Sequence, residues 1–261
     1  GKAADKIEVP MGKAIVPEMV ADALQKEKYD LVLVVHNETS TGVMNPVKEI
    51  AEVVHRLSPD TLIAVDAVSS LSGAKIEMDA WGLDVVFTSS QKALALPPGL
   101  ALCAVSDRAM ARAKEVPNRG WYFDYLLLEK HRLKDSTPMT PAMSLVFALD
   151  FQLDRILAEG MEARFARHSQ MASMSQAWAK AKGWELLAPE AYRSQTLTVV
   201  CNPPEFDCAD FNKFVAPRKI RLANGYGDMK GKTFRIAHMG EIQPSDVTDL
   251  LNAIDEYMLT K

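Results

Sequence analysis

LIAVDAVSSLSG (residues 62–73) and, just downstream, DVVFTSSQKALALPPG (84–99) share one construction. Each opens on a short, largely apolar run, Leu62–Val65 and Asp84–Phe87, and then turns polar. A short apolar run without polar alternation fits a strand buried on both faces, as in a parallel sheet covered by helices. Working outward, Leu31–Val35 (LVLVV) reads as a buried strand of the same kind, and Leu100–Val105 as a fourth. Helical patterns fall between and beside them. Residues 17–28 form one, starting at Pro17. Asn45-Pro46 opens another, with Asn as cap, Pro at the first position and Val47, Ile50, Val53 and Val54 on one face. A third covers Asp107 to Glu115. The alternation predicts an α/β fold, a mixed and mostly parallel sheet flanked by helices on both faces.

Beyond this the pattern changes. A helix from Ala142 to Leu157 passes Gly160 into a long polar helix ending near Lys182. Trp184–Leu187, Thr196–Cys201, Lys219–Leu222 and Thr233–His238 read as strands, and Cys208–Ala216 and Ser245–Leu259 as helices. Val247, Leu250, Leu251, Ile254 and Met258 give the last helix an apolar stripe of helical period. The chain therefore divides into a large α/β part, residues 1–159, and a small C-terminal α+β domain, residues 160–261.

Composition narrows the function classes. With 48% hydrophobic and 25% charged residues, the chain has the balance of a soluble globular protein. A net charge of −4 and no basic run argue against nucleic acid or an anionic membrane surface as partner. The longest aliphatic run, Leu31–Val35, falls far short of the roughly 18 residues that span a bilayer. Gly1–Lys6 resembles neither a signal nor a transit peptide. Cys103, Cys201 and Cys208 make no disulfide pattern and suit reduced thiols in the cytoplasm; the five histidines show no metal-ligand spacing.

Three features cluster once the strands are placed. Asp66 ends the strand Leu62–Val65, Lys92 follows the strand Asp84–Phe87, and the polar loop His36–Gly42 follows Leu31–Val35. In open α/β sheets the loops beyond the carboxyl ends of the strands form the ligand crevice. Each feature also has a plain structural reading: Asp66 as a cap, Lys92 as a solvated surface residue, the loop as turn chemistry. Together they suit pyridoxal phosphate. A partly buried lysine favours the neutral amine that forms a Schiff base, and a carboxylate facing the pyridine nitrogen keeps the ring an electron sink.

VDAVSSLSG (65–73), TSSQKALALPPGLAL (88–102), HNETSTGV (36–43) and FRIAHMG (234–240) resemble the class V aminotransferases. These are fold-type I pyridoxal phosphate enzymes, and the nearest branch is alanine/serine–glyoxylate aminotransferase. The resemblance implies an enzyme moving an amino group from alanine or serine to a 2-oxo acid, glyoxylate or pyruvate. Lys92 would carry the Schiff base and shuttle the proton, and Asp66 would pair with the ring nitrogen. Val68 would pack on the ring, Thr39 would bond its 3-oxygen, and Gln91 would sit beside ring and phosphate. Arg235 would clamp the substrate carboxylate as a bidentate fork, although alternation alone also allows an outward residue of an edge strand. Thr140, in TPMTP (137–141), resembles the segment that reaches the neighbouring subunit's phosphate, so a homodimer is implied.

Two relatives of the fold compete. A cysteine desulfurase would carry His before the lysine, where Gln91 stands, and a reactive Cys on a loop, for which Cys201 and Cys208 beside Asn202-Pro203-Pro204 are the candidates. A phosphoserine aminotransferase would need extra cationic contacts, which His238 and Arg221 could supply. The family's Gly/Ser-rich phosphate turn and stacking aromatic precede the region matched here. The resemblance thus implies a further N-terminal portion, in a longer chain or a partner chain; without it this chain would be a non-catalytic fragment.

Overall fold

A computed structural model describes residues 3–261. Strands β1 (Leu31–Val35), β4 (Leu62–Asp66), β5 (Val85–Ser89) and β6 (Ala101–Val105) form one sheet in the order β1-β4-β5-β6, with β1, β4 and β5 parallel and β6 antiparallel to β5. A short antiparallel pair, β2 (Asn37–Glu38) and β3 (Val43–Met44), shapes the loop after β1. The second sheet, antiparallel, is built from β7 (Leu197–Cys201), β8 (Ala223–Asn224) and β9 (Thr233–Ala237) in the order β7-β9-β8.

Helices α1 (Pro17–Lys26) and α2 (Val47–Leu57) cover one face of the first sheet. Ile50, Val54, Ile63, Val65 and Val86 join in that core because they fall on one stripe of α2 and on alternate positions of the strands. Leu62, Ala64 and Val85 point the other way, toward α3 (Asp107–Glu115) and α4 (Tyr125–Arg132). Ser106 and Asp124 start those helices by accepting from Ala109 N and Leu126 N. Helix α5 (Met143–Glu159) meets α6 (Met161–Ala181) at Gly160, and α7 (Cys208–Val215) and α8 (Pro244–Met258) complete the second core. That core is aromatic: Phe206 packs against Phe234 at 4.6 Å with the rings tilted by 40°, and faces Tyr257 edge-on at 5.8 Å.

Several expectations from the sequence are corrected. Strand β1 is not buried on both faces: Leu31 and Leu33 are 46% and 63% exposed, because no helix covers that side of the sheet at its edge. Strand β6 is likewise exposed at Ala101, Cys103 and Ala104. Asn45 does not cap α2; its amide instead accepts from Ile15 N and donates to Val35 O, both at 2.8 Å, tying the chain before α1 to β1. Residues 184–187 contribute a bridge between Leu186 and Val200 rather than a strand, and the strand expected at 219–222 forms at Ala223–Asn224. Helix α4 has no counterpart in the sequence reading, since Tyr125–Arg132 places three leucines in a row without helical period.

Candidate active site

Parallel register places the ends of three strands side by side, with Val35 opposite Asp66 and Asp66 opposite Phe87. The loops that follow are knitted together from below. Asp66 O accepts from His36 N at 2.9 Å, and Asp66 Oδ1 accepts from Val68 N at 2.9 Å, which fixes the half-buried carboxylate and the Val68 side chain as a unit. Asn37 donates to Ser69 O and Thr196 Oγ1, each at 3.1 Å, and the Thr39 and Ser69 hydroxyls are hydrogen-bonded. Burial drops the pKa of His36 to about 4, so the ring is neutral; its Nδ1 lies 3.0 Å from Ser70 Oγ.

Lys92 stands in the turn after β5, half-buried. Burial pushes its ammonium below the ordinary lysine range and Arg235 adds to this, while Glu38 and Asp66 pull the other way. Four charged groups from three loops and the second sheet thus feel one another at one place. Among the described residues the Lys92 ammonium makes no hydrogen bond, and the buried Ser89 hydroxyl at the end of β5 has no partner.

Arg235 projects from β9, which is the central strand of its sheet, so the edge-strand alternative does not apply. Phe234 and Ile236 point into the core while Arg235 stays half-buried on the opposite face. Its Nε donates to Asn224 O at 2.9 Å, its Nη1 approaches Thr39 O at 3.5 Å, and its guanidinium lies over Tyr226, 5.8 Å from the ring centre. These contacts hold the fork beside the Thr39 loop. Gln91, exposed, adjoins Lys92. Thr140 is exposed between α4 and α5 and is not joined to this cluster by a hydrogen bond among the described residues.

The residues offered for rival chemistries behave otherwise. His238 is fully buried, with Nε2 2.9 Å from Thr198 Oγ1, and burial together with neighbouring His168 drops its pKa to about 3; it cannot serve as a cation. Arg221 is exposed and contributes nothing to the field at Lys92. Cys201 ends β7 and Cys208 begins α7, and burial raises both thiols above their ordinary pKa, against a reactive thiolate. Among the described residues no group of three or more His, Cys, Asp or Glu is arranged to hold a metal, and no helix is long and apolar enough to cross a membrane. Glu38, Asn224 and Tyr226 are the site neighbours that the sequence did not single out. Glu38 lay inside a quoted motif, but nothing in its spacing ties it to Lys92.

Residues 3–230 match the family model described as aminotransferase class-V. An uncharacterized aminotransferase of Methanocaldococcus jannaschii is 40% identical over 96% of this chain and 66% of its own length. The serine–glyoxylate aminotransferase of Arabidopsis thaliana is 31% identical over 96% of this chain and 64% of its own. Among solved structures, the alanine–glyoxylate aminotransferase of Nostoc sp. superposes with a TM-score of 0.88 and 30% identity, over 97% of this chain and 68% of that one. The chain thus spans about two thirds of the length of these relatives.

Proposed function

The chain belongs to the class-V aminotransferase family, whose members use pyridoxal phosphate, and from that premise we propose that it works as an aminotransferase with Lys92 as its cofactor lysine. The carrying observation is that Asp66, Glu38 and Arg235 converge on Lys92 at the ends of the parallel strands, where its ammonium makes no hydrogen bond among the described residues. The donor set fits the cofactor: an amine biased toward its neutral form, a fixed carboxylate on the adjacent strand, a hydroxyl at Thr39 and a buried hydroxyl at Ser89 without a partner among the described residues. When bound, pyridoxal phosphate supplies an aldehyde that accepts amino groups and a ring that withdraws electrons from the adjoining carbon.

The chain's own residues supply the rest. Lys92 Nζ would hold the cofactor through its aldehyde and, as the free amine, would take the proton from the substrate Cα and pass it to the cofactor carbon across the shared nitrogen. The Asp66 carboxylate would accept the ring N–H, Val68 would pack on the ring face, and the Thr39 hydroxyl would bond the ring 3-oxygen. Gln91 would lie beside ring and phosphate. Arg235 presents its Nη1 and Nη2 protons to the substrate carboxylate.

Alanine or serine is the proposed donor, and glyoxylate or pyruvate the acceptor. The naming of the Arabidopsis and Nostoc relatives supports this, as does Arg235, the one cation that acts on Lys92 among the described residues, which suits a donor with one carboxylate. The buried, neutral His238 removes the support for phosphoserine.

Completion by further polypeptide is part of the same proposal. Both edges of the first sheet carry exposed strands, and an open groove of about 1130 Å³ runs along β1 without including Lys92, Asp66 or Arg235. A preceding segment or partner chain, carrying the phosphate turn, would lie there. Trp121, Tyr122, Phe123, Phe147, Phe151 and Leu157 are large and exposed, and a second copy of the chain covering them would bring Thr140 to its partner's phosphate. Three unpaired cysteines suit the cytoplasm.

Assays of alanine, serine and phosphoserine against glyoxylate, pyruvate and 2-oxoglutarate test the substrates. Alanine or serine with glyoxylate or pyruvate should give the highest kcat/KM; a preference for phosphoserine with 2-oxoglutarate would overturn the choice.

A further inference from the structure

The Asp66 loop, the Lys92 turn and the segment after Arg235 meet at one buried side chain. Arg164, in the second turn of α6, is fully buried. Its Nε donates to Ser72 O at 3.1 Å and Ser72 Oγ at 2.9 Å, at the far end of the loop that begins with Asp66. Its Nη2 donates to Ala93 O at 2.8 Å, the carbonyl of the residue that follows Lys92. Its Nη1 donates to Glu159 Oε2 at 2.8 Å and Glu241 Oε1 at 3.2 Å, and Glu241 ends the segment that begins with Arg235. One guanidinium therefore spans all three loops.

The next turn of α6 repeats the device. His168 Nδ1 faces Arg164 O at 2.8 Å, and its Nε2 accepts from Gly240 N at 3.1 Å, so the neutral ring with its proton on Nδ1 satisfies both ends. The backbone is packed too closely for other arrangements. A Cβ at Gly240 would lie 3.0 Å from Ala95 Cβ and 3.5 Å from Lys92 O, and one at Gly73 would lie 3.1 Å from His168 and 3.4 Å from Ala93 Cβ. Two non-glycine residues on these loops hold left-handed backbone, Ser72 at φ 73° and Ala95 at φ 58°. Such conformations persist where the surroundings over-determine them.

We propose that Arg164, seconded by His168, is a positioning residue that sets the backbone of the Lys92 turn against the Asp66 loop and the Arg235 strand. Fully buried, it acts through Ala93, Ser72 and Glu241. The proposal rests on Lys92, Asp66 and Arg235 having the roles given above. Only a planar fork meets acceptors in these three directions, and a lysine ammonium at the same place cannot.

Arg164→Lys and Ser72→Ala are compared with the unaltered protein and with Phe211→Leu, a truncation in the second core that serves as the structural control. The readouts are amide hydrogen exchange over residues 66–73, 90–96 and 238–241, the absorbance titration with pyridoxal phosphate, and kcat and KM for transamination. Arg164→Lys should loosen all three segments together, by about tenfold beyond any change in global protection. It should weaken cofactor uptake and lower kcat about 10²-fold while moving KM much less. Ser72→Ala should act on the same segments more weakly, and it decides the matter if Arg164→Lys does not fold. Loops that stay as protected as in the unaltered protein, or an equal loosening by Phe211→Leu, would overturn the proposal. Failure of the unaltered protein to take up cofactor in the assembly that supplies the phosphate turn would defeat the functional reading instead, and the exchange comparison would then decide the positioning role.

Discussion

The two sheets differ in how far each is closed. In the second, Phe234, Ile236, Val200 and Phe211 are wholly buried, and aromatic contacts link α7, α8 and β9 into a finished core. In the first, β4 and the start of β5 are equally buried, but the outer strands β1 and β6 present exposed residues. Asp66 and Lys92 sit on the sheet that is open at both edges, whereas Arg235 stands on the closed one. The geometry around the candidate site therefore depends on cross-links between the sheets: Asn37 to Thr196, Arg235 to Thr39, and Arg164 to Ser72, Ala93 and Glu241. The Lys92 turn is tied to the finished side through Ala93.

The largest effect belongs to the open sheet. Lys92→Ala should abolish transamination, a loss of about 10⁴-fold or more in kcat, without changing the urea midpoint. On the closed sheet the largest effect is on folding: Phe234→Ala should cost about 3–5 kcal/mol in denaturant unfolding. A pH effect of similar size follows from His36 beneath the site. Its pKa is lowered in the folded state, so its contribution is complete above about pH 6.5 and is lost as pH falls through 6.5 toward 4. That amounts to about 3 kcal/mol at most, and His36→Gln should remove this share of the stability lost between pH 7 and pH 4.5, leaving the shares of buried His168 and His238. Arg235→Lys should raise KM for the amino acid about tenfold to 100-fold and lower kcat less, since a lysine cannot reproduce the fork. The smallest effect separates the two sheets most cleanly. Leu33→Ser should change the stability of this chain by no more than about 0.5 kcal/mol, as at any exposed position. In an assembly that covers β1, the same change should cost about 1.5–3 kcal/mol.

How much of this was legible in the sequence follows the same division. Strands β4 and β5 are apolar runs buried from both sides, and their hydropathy says so. Leu31–Val35 has the same hydropathy but lacks a cover on one face, and hydropathy cannot report a missing neighbour. The positions of Asp66, Lys92 and the 36–42 loop at strand ends were readable because parallel strands share a carboxyl end. Arg235 was readable in its alternation but not in its strand order, which rests on pairings across the second sheet. Asn45 looked like a cap because its partners, Ile15 and Val35, are distant in sequence or belong to another element. Arg164 and His168 carried no signal: in a long polar helix a buried arginine and a solvated one are spelled alike. Nothing local marks Glu38 as a charge that Lys92 feels.

The account stands on Lys92 more than on any other residue. Protein loaded with pyridoxal phosphate, reduced with borohydride and digested, should yield one pyridoxyl-bearing peptide, and its fragmentation should place the label on Lys92. A label on another lysine, or the same label retained in Lys92→Ala, would contradict it.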